Sequence, residues 1–217
     1  MTNDIYTKSL LQSMSIEEQT KMFDSLLLST GRPNIEVFIS WLHDTDFYTS
    51  PQSANGYGNY KGGLLYHSLC VYNVLKGMVN TLKSIDENNS SDEFDDSSLI
   101  MVGLLHDICL VQCFSPVEKR KLIEGSWVTV HTYDYYDQFP LGHGDKSILF
   151  VTMHGVYLNR EEMLAIKWHS GPVELSNREL PTYYSALKTS KLARLMVASV
   201  ELSKSYMEEN REFEIIG

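Results

Sequence analysis

The chain has little cysteine, no long apolar run and no excess of positive charge, and each scarcity excludes a class of protein. Three cysteines among 217 residues, Cys70, Cys109 and Cys113, are too few and odd in number for a disulfide-stapled scaffold. They lie in apolar runs and read as reduced thiols filling small core positions, as expected of a cytoplasmic protein. Cys109 and Cys113 share a helix-like spacing, but two thiols do not complete a structural zinc site. No stretch approaches the roughly 20 apolar residues of a membrane-spanning helix. The opening MTNDIYTKSL lacks the basic and apolar regions of a signal peptide, so no membrane partner is expected. Lysine and arginine number 18 against 28 aspartates and glutamates, a net charge of −10. That balance disfavours a long nucleic acid as partner, whose backbone needs clustered cations. It leaves room for a small phosphate substrate, because a bound dication can supply the local positive charge.

Familiar catalytic signatures are also missing. There is no G-x-S-x-G elbow, and no histidine is locally arranged to activate Cys109, so a serine or cysteine nucleophile is not expected. GHGDKS at residues 142–147 superficially suggests a phosphate-binding P-loop. That loop needs glycine immediately before Lys-Ser, whereas here Asp145 stands there and would repel phosphate.

What is present is a globular composition, 43% hydrophobic and 21% charged, without repeats, which predicts one domain over residues 1–217. Ser15-x-x-Glu18 is a capping box opening a helix, and Gly31-Arg32-Pro33 breaks the chain. Ile35, Phe38, Ile39 and Leu42 form an amphipathic stripe, and residues 45–63 read as a long ordered loop. Strongly apolar helices are expected at 64–82 and 99–108, separated by an acidic linker at 86–98. Residues 121–135 alternate about a Gly-Ser turn and predict a β-hairpin. Helices should follow at 145–156, at 159–169 behind the box Asn159-x-x-Glu162, and at 183–209.

The chemistry-bearing residues lie in the apolar segments. His67, His106-Asp107, His143 and His169 each fall in or beside a hydrophobic stretch, and buried imidazoles need partners. One histidine on an apolar face is more often a satisfied core residue, but several at once point to a divalent metal ion. Adjacent helical side chains diverge by about 100°, so His106 and Asp107 can chelate one ion between them. The second His-Asp pair, His43-Asp44, sits at a polar helix end and is expected to lie away from any such site. His131 and His154 have ordinary surface or helix-end contexts. Lys146 should fall in the first turn of a helix, where a cation opposes the helix dipole unless it meets an anion. Lys61, beside Gly62-Gly63, is a weaker phosphate candidate.

The order His…His-Asp…His…His on successive helices resembles the HD superfamily of metal-dependent phosphohydrolases. More narrowly it resembles a group of HD-domain proteins of bacteria and their phages, and it is more distantly similar to the HD domain of bacterial 3′–5′ exoribonucleases. The stretches TDFYTSPQSANGYGNYKGGLLYHSLCVYN, GLLHDIC, DQFPLGHGDKSI and LAIKWHSG carry the resemblance over residues 40–210, leaving 1–39 as an N-terminal helical extension. It implies an all-α HD-domain helical bundle with a small β-hairpin insertion. It implies metal ligation by His67, His106 and Asp107, with a final carboxylate from the last helix. The family has Asp there; this chain has Glu201, with Ser199 as the poorer alternative. Two further departures are Leu110, where many relatives have lysine, and Asn55-Gly56-Tyr57, where they show Arg and His. His143 and His169 match positions that bind a second metal or contact substrate phosphate, so one or two divalent ions (Mn, Fe, Co, Ni, Zn or Mg) are expected. The implied activity is hydrolysis of a small phosphoester, a nucleotide foremost, with Asp107 and Lys146 as catalytic groups. The alternative is a nucleotide-binding or regulatory protein that keeps the fold without turnover.

Overall fold

The computed structural model describes residues 5–85, 94–173 and 175–206, together with a two-residue strand at 214–215. Helices are α1 (Lys8–Ser13), α2 (Ile16–Ser29), α3 (Ile35–His43), α4 (Gly63–Ile85), α5 (Asp96–Leu105), α6 (His143–Met153), α7 (Arg160–Trp168), α8 (Leu180–Thr189) and α9 (Lys191–Tyr206). Strands β1 (Phe114–Ile123), β2 (Ser126–Tyr135) and β3 (Glu214–Ile215) form an antiparallel sheet in the order β1-β2-β3. The chain is therefore mainly helical with a small sheet. No helix among the described residues is long and apolar enough to cross a membrane.

Local sequence explains most of the elements. Ser15 Oγ accepts from Glu18 N at 3.2 Å while Ser15 N donates to Glu18 Oε2 at 2.7 Å, the reciprocal box that starts α2. Asn159 and Glu162 repeat that arrangement at α7. The stripe Ile35, Phe38, Ile39 and Leu42 buries the inner face of α3. Residues ahead of position 40 are more than an appendage, because Phe23, Leu27, Ile35 and Phe38 belong to the main apolar core.

The axis of that core is α4. Every residue from Gly63 to Asn73 is buried, and the helix packs against α2, α5 and α9. Two glycines set how closely its neighbours approach. A Cβ on Gly103 would stand 2.7 Å from Tyr72 Cα, so α5 lies directly against the α4 backbone. A Cβ on Gly144 would stand 2.5 Å from Lys167 Cα, which brings α6 equally close to α7. Because backbone cannot yield as a side chain can, Gly103→Ala should cost about 1–3 kcal/mol by overpacking. Gly77→Ala, in α4 and 3.6 Å from only the Ile5 side chain, should be neutral or stabilising by up to about 1 kcal/mol. Urea unfolding of the two variants checks the contrast, and equal midpoints would refute it.

Three expectations need correction. The hairpin turn is Glu124-Gly125, at φ 50° and 83°, one residue earlier than Gly-Ser. Two positive φ values make the two-residue turn whose twist matches the flanking strands. The first strand also starts at Phe114 rather than near 121; it lies at the sheet edge, largely exposed and charged, with Pro116 inside it, and so lacks alternation. The helix expected over 183–209 is two helices, α8 and α9. Ser190 is extended at φ −120° and ψ 116°, and its Oγ accepts from Ala193 N at 3.1 Å to open α9. Positions 207–209 of that expectation lie outside the described residues, as do 86–93 of the acidic linker. The linker's last acids build structure: Asp95 caps α5 through Ser97 N, and Asp96 pairs with buried Lys76 at 2.5 Å.

Candidate metal centre

Four helix ends meet inside the bundle. α5 closes on His106 as its C-cap, with Asp107 next, and α7 closes on His169 in the same way. α4 supplies His67 from its second turn, and α6 supplies His143 as its first residue. His67, His106, Asp107 and His169 are buried, whereas the His143 side chain is 41% exposed and forms the side that solvent reaches.

The Nε2 atoms of His67 and His106 stand 3.0 Å apart, and Asp107 Oδ2 lies 3.3 Å from the first and 3.5 Å from the second. Oδ1 of the same carboxylate lies 2.7 Å from His143 Nε2 and 2.8 Å from His169 Nε2. Donors about 2.0–2.1 Å from one zinc-like ion stand roughly 2.9–3.4 Å from each other at octahedral to tetrahedral angles. The His67, His106 and Asp107 spacings match that range within about 0.1 Å.

Ring orientation supports the same use. His106 Nδ1 is 3.0 Å from Gly103 O, and His169 Nδ1 is 2.7 Å from Ile166 O. A carbonyl only accepts, so each Nδ1 carries the hydrogen and each Nε2 turns a lone pair inward. His169 Nε2 faces Asp107 Oδ1 at 2.8 Å with Ser170 Oγ 3.0 Å away, a contact that a ring proton or a cation between the two atoms satisfies. Both carbonyls belong to the last turns of helices, whose negative dipole ends favour a cation. The turn after His106 is braced by Ser147, which donates from Oγ to His106 O at 2.6 Å and accepts from Cys109 N at 3.2 Å. The residues present therefore fit a divalent ion, and buried His, Asp and Cys groups here could hold one.

Burial drives the His106 ring well below the usual imidazole range. Burial also opposes ionisation of Asp107, but the surrounding rings of His106, His169 and His143 outweigh it and hold the carboxyl well below the usual carboxylate range. At His143 burial again opposes the charge, yet the Asp107 carboxylate beside it pushes the ring up to about 11. The signs give a pH profile for chelator-treated protein. The raised His143 pKa adds stability in full below the unfolded value, about 6.5, and loses it as pH rises towards about 11. The depressed His106 pKa makes the unfolded chain the stronger proton acceptor, so stability falls as pH drops below about 6.5. Depressed Asp107 adds a loss at lower pH still, below about 3.9. The melting temperature should thus peak near pH 6.5, and His143→Asn should remove part of the alkaline decline. A flat profile between pH 5 and 9 would contradict it.

The other candidate residues are placed elsewhere. Glu201 lies on the exposed face of α9, with its carboxylate 3.3 Å from Lys204 Nζ, and it does not approach the cluster. The helix turns Ser199 inward instead, but its hydroxyl donates to Leu195 O at 2.7 Å. No carboxylate from the described part of α9 joins the metal-binding groups found among the described residues. Lys146 does meet an anion: its ammonium is buried 2.5 Å from Asp137 Oδ1, with Cys113 Sγ at 3.4 Å. Lys61 is exposed on a cavity of about 200 Å³ beside α1 and α2, shared with Gln12, Gln19 and Tyr66. His43 leaves its helix end to meet Asp24 Oδ2 at 2.8 Å, away from the cluster as its polar context predicts. His131 is exposed on β2, and His154 Nδ1 donates to Phe150 O at 2.7 Å, with its ring against Trp41.

Cys109 is the residue that sequence reasoning passed over. No histidine is locally arranged beside it in sequence, but the fold brings one from a distance: His143 Nδ1 is 3.3 Å from Cys109 Sγ although the two are 34 positions apart. The signal available was that Cys109 follows His106-Asp107 by only two positions, so any group drawn to that pair falls near it as well. Comparison with family models, with curated proteins and with solved structures found no match.

Proposed function

We propose that the chain is a metal-dependent phosphohydrolase of HD type acting on a nucleotide or other small phosphoester. The observation that carries this reading is the convergence of His67, His106, Asp107, His143 and His169 from four helix ends onto one carboxylate. A divalent ion held by His67, His106 and Asp107 supplies Lewis acidity, lowering the pKa of water and neutralising phosphoryl charge. The chain's own groups do the rest. His106 and His169, fixed by backbone carbonyls, hold their lone pairs in one orientation. His143, reached by solvent, donates from Nε2 to Asp107 Oδ1 and so holds the carboxylate in place on the side a substrate would enter. Lys146 is committed to Asp137, so in this reading it shapes the loop before α6 rather than touching substrate.

A second reading, a nucleotide-binding or regulatory protein without turnover, is favoured by one observation: α9 turns Glu201 outward to Lys204, and the hydroxyl of inward-facing Ser199 goes to Leu195 O. Metal analysis of the purified chain comes first. A panel of nucleoside mono- and triphosphates, cyclic nucleotides and short oligonucleotides, with Mn²⁺, Fe²⁺, Co²⁺, Ni²⁺, Zn²⁺ or Mg²⁺ supplied in turn, comes second. Turnover of a small nucleotide supports the hydrolase. Tight binding without turnover under every metal supports the second reading. Preferential degradation of long single-stranded RNA would contradict both.

A further inference from the structure

Of the three thiols, Cys109 is the one that joins a group of possible metal donors among the described residues. Cys70 belongs to a separate apolar cluster with Leu11 and Tyr66. Cys113 faces the Lys146 ammonium at 3.4 Å, and its Sγ lies 3.4 Å from Cys109 O. Cys109 Sγ instead lies 3.3 Å from His143 Nδ1, and the two belong with Asp107 to a group whose ligand atoms all fall within 4.8 Å. Sulfur about 2.3 Å and nitrogen about 2.0–2.1 Å from one zinc ion stand roughly 3.2–3.6 Å apart, which is the spacing found. The other face of the same ring is already arranged: His143 Nε2 is 2.7 Å from Asp107 Oδ1, the carboxylate–imidazole contact that orients a ligating histidine. The thiol is positioned as well, since Ser147 Oγ bonds the Cys109 amide. Solvent reaches His143, which leaves room for water to complete a coordination shell.

We infer that Cys109 is a metal ligand, and that its sulfur and His143 Nδ1 hold a second, thiophilic divalent ion beside the one assigned to His67, His106 and Asp107. This rests on the proposed metal centre and adds to it a donor of different chemistry. Binding breaks the Cys109 S–H bond and the Nδ1–H bond of the His143 ring, which the neighbouring carboxylate keeps protonated in the metal-free chain; both protons go to solvent, and His143 ligates as a neutral ring that keeps its Nε2 hydrogen on Asp107. A thiolate selects zinc or cobalt over magnesium or calcium, so the two positions should differ in metal preference.

The test is a titration of the metal-stripped full chain, under a reductant that does not bind metal, with Co²⁺ as the spectroscopic substitute for Zn²⁺. The expected result is a sulfur-to-cobalt charge-transfer band in the unaltered chain, with two zinc ions per chain at saturation. Cys109→Ser should lose the band and fall to one ion, whereas Cys113→Ser and Cys70→Ser should retain both. His143→Gln, at a partly exposed position, should also lose the band and serves if Cys109→Ser loses its helix content. One ion without a sulfur band in the unaltered chain overturns this inference and leaves the hydrolase reading standing. A band and stoichiometry unchanged in Cys109→Ser also overturn it. No ion bound at all would overturn both.

Discussion

Asp107→Ala should abolish the proposed phosphoester hydrolysis and the ion binding proposed for His67, His106 and Asp107, the largest functional effect expected of any single change in this chain. Asp107 is the one carboxylate to which all the clustered imidazoles turn, its Oδ2 towards His67 and His106 and its Oδ1 towards His143 and His169. Loss of an outer partner of a metal site costs about 10–100-fold in affinity or activity, and removal of the carboxylate that His67 and His106 share should exceed that. The helices should survive, because the side chain touches rings of the cluster rather than the apolar core. Circular dichroism with metal analysis separates the two outcomes. A variant that keeps its helix content, its metal and its turnover would remove Asp107 from the site. Asp107→Asn is the finer probe: it preserves shape but not charge, and should retain fold while losing most of the bound ion.

Glu162→Ala should produce the largest loss of stability, about 3–5 kcal/mol, as expected when one partner of a buried ion pair is removed. Glu162 is fully buried and ion-paired to Arg32 through both carboxylate oxygens. It also accepts from Ser98 Oγ at 2.6 Å and from Asn159 N at 2.8 Å. Arg32 in turn donates to Tyr157 O and Ser97 Oγ, both at 2.8 Å. The truncation therefore strands a guanidinium, an amide and a hydroxyl at once, and opens the capping box of α7. Burial had favoured the neutral acid, but the Arg32 and Ser98 hydrogen bonds outweigh it and hold Glu162 below its usual range, so the carboxylate is ionised at neutral pH. Urea denaturation gives the number. A change below about 1 kcal/mol, the scale of an exposed pair, would show that the pair is not acting as a buried one.

The clamp also shows which parts of the molecule were legible in sequence. Ser15-x-x-Glu18 and Asn159-x-x-Glu162 could be read because a capping box is local, with both partners three residues apart. Arg32 reaching Glu162 could not, since nothing in sequence joins positions 130 apart. The same division runs through the site. His67, His106, Asp107, His143 and His169 stood out because polar groups in apolar helices must find partners, and the structure brings all five together. The sequence did not show which side of the last helix Glu201 would face, because the break at Ser190 starts a new helix with its own phase. Nor did it show that Lys146 would be matched by Asp137 from the preceding loop, or that Cys109 would meet His143. The hairpin was visible through the alternation of β2, whereas β1, an edge strand with mostly exposed residues, has no periodic pattern to detect.

Because His106 and His169 are themselves the caps that end α5 and α7, the last turn of each helix and a candidate metal donor are one object. Their Nδ1 hydrogens lie on Gly103 O and Ile166 O, carbonyls that are exposed first when a helix end frays. Fraying by a single turn would thus withdraw a donor, and an ion could leave without the core opening. Occupancy and fraying become one linked equilibrium: a ligand that binds only the closed ends stabilises them by RT ln(1 + [L]/Kd), about 2.7 kcal/mol at a hundred times Kd. The dwell time of an ion would then be set by how often two helix ends loosen, well below the free energy of global unfolding. Amide exchange at the last turns of α5 and α7 would serve as its clock.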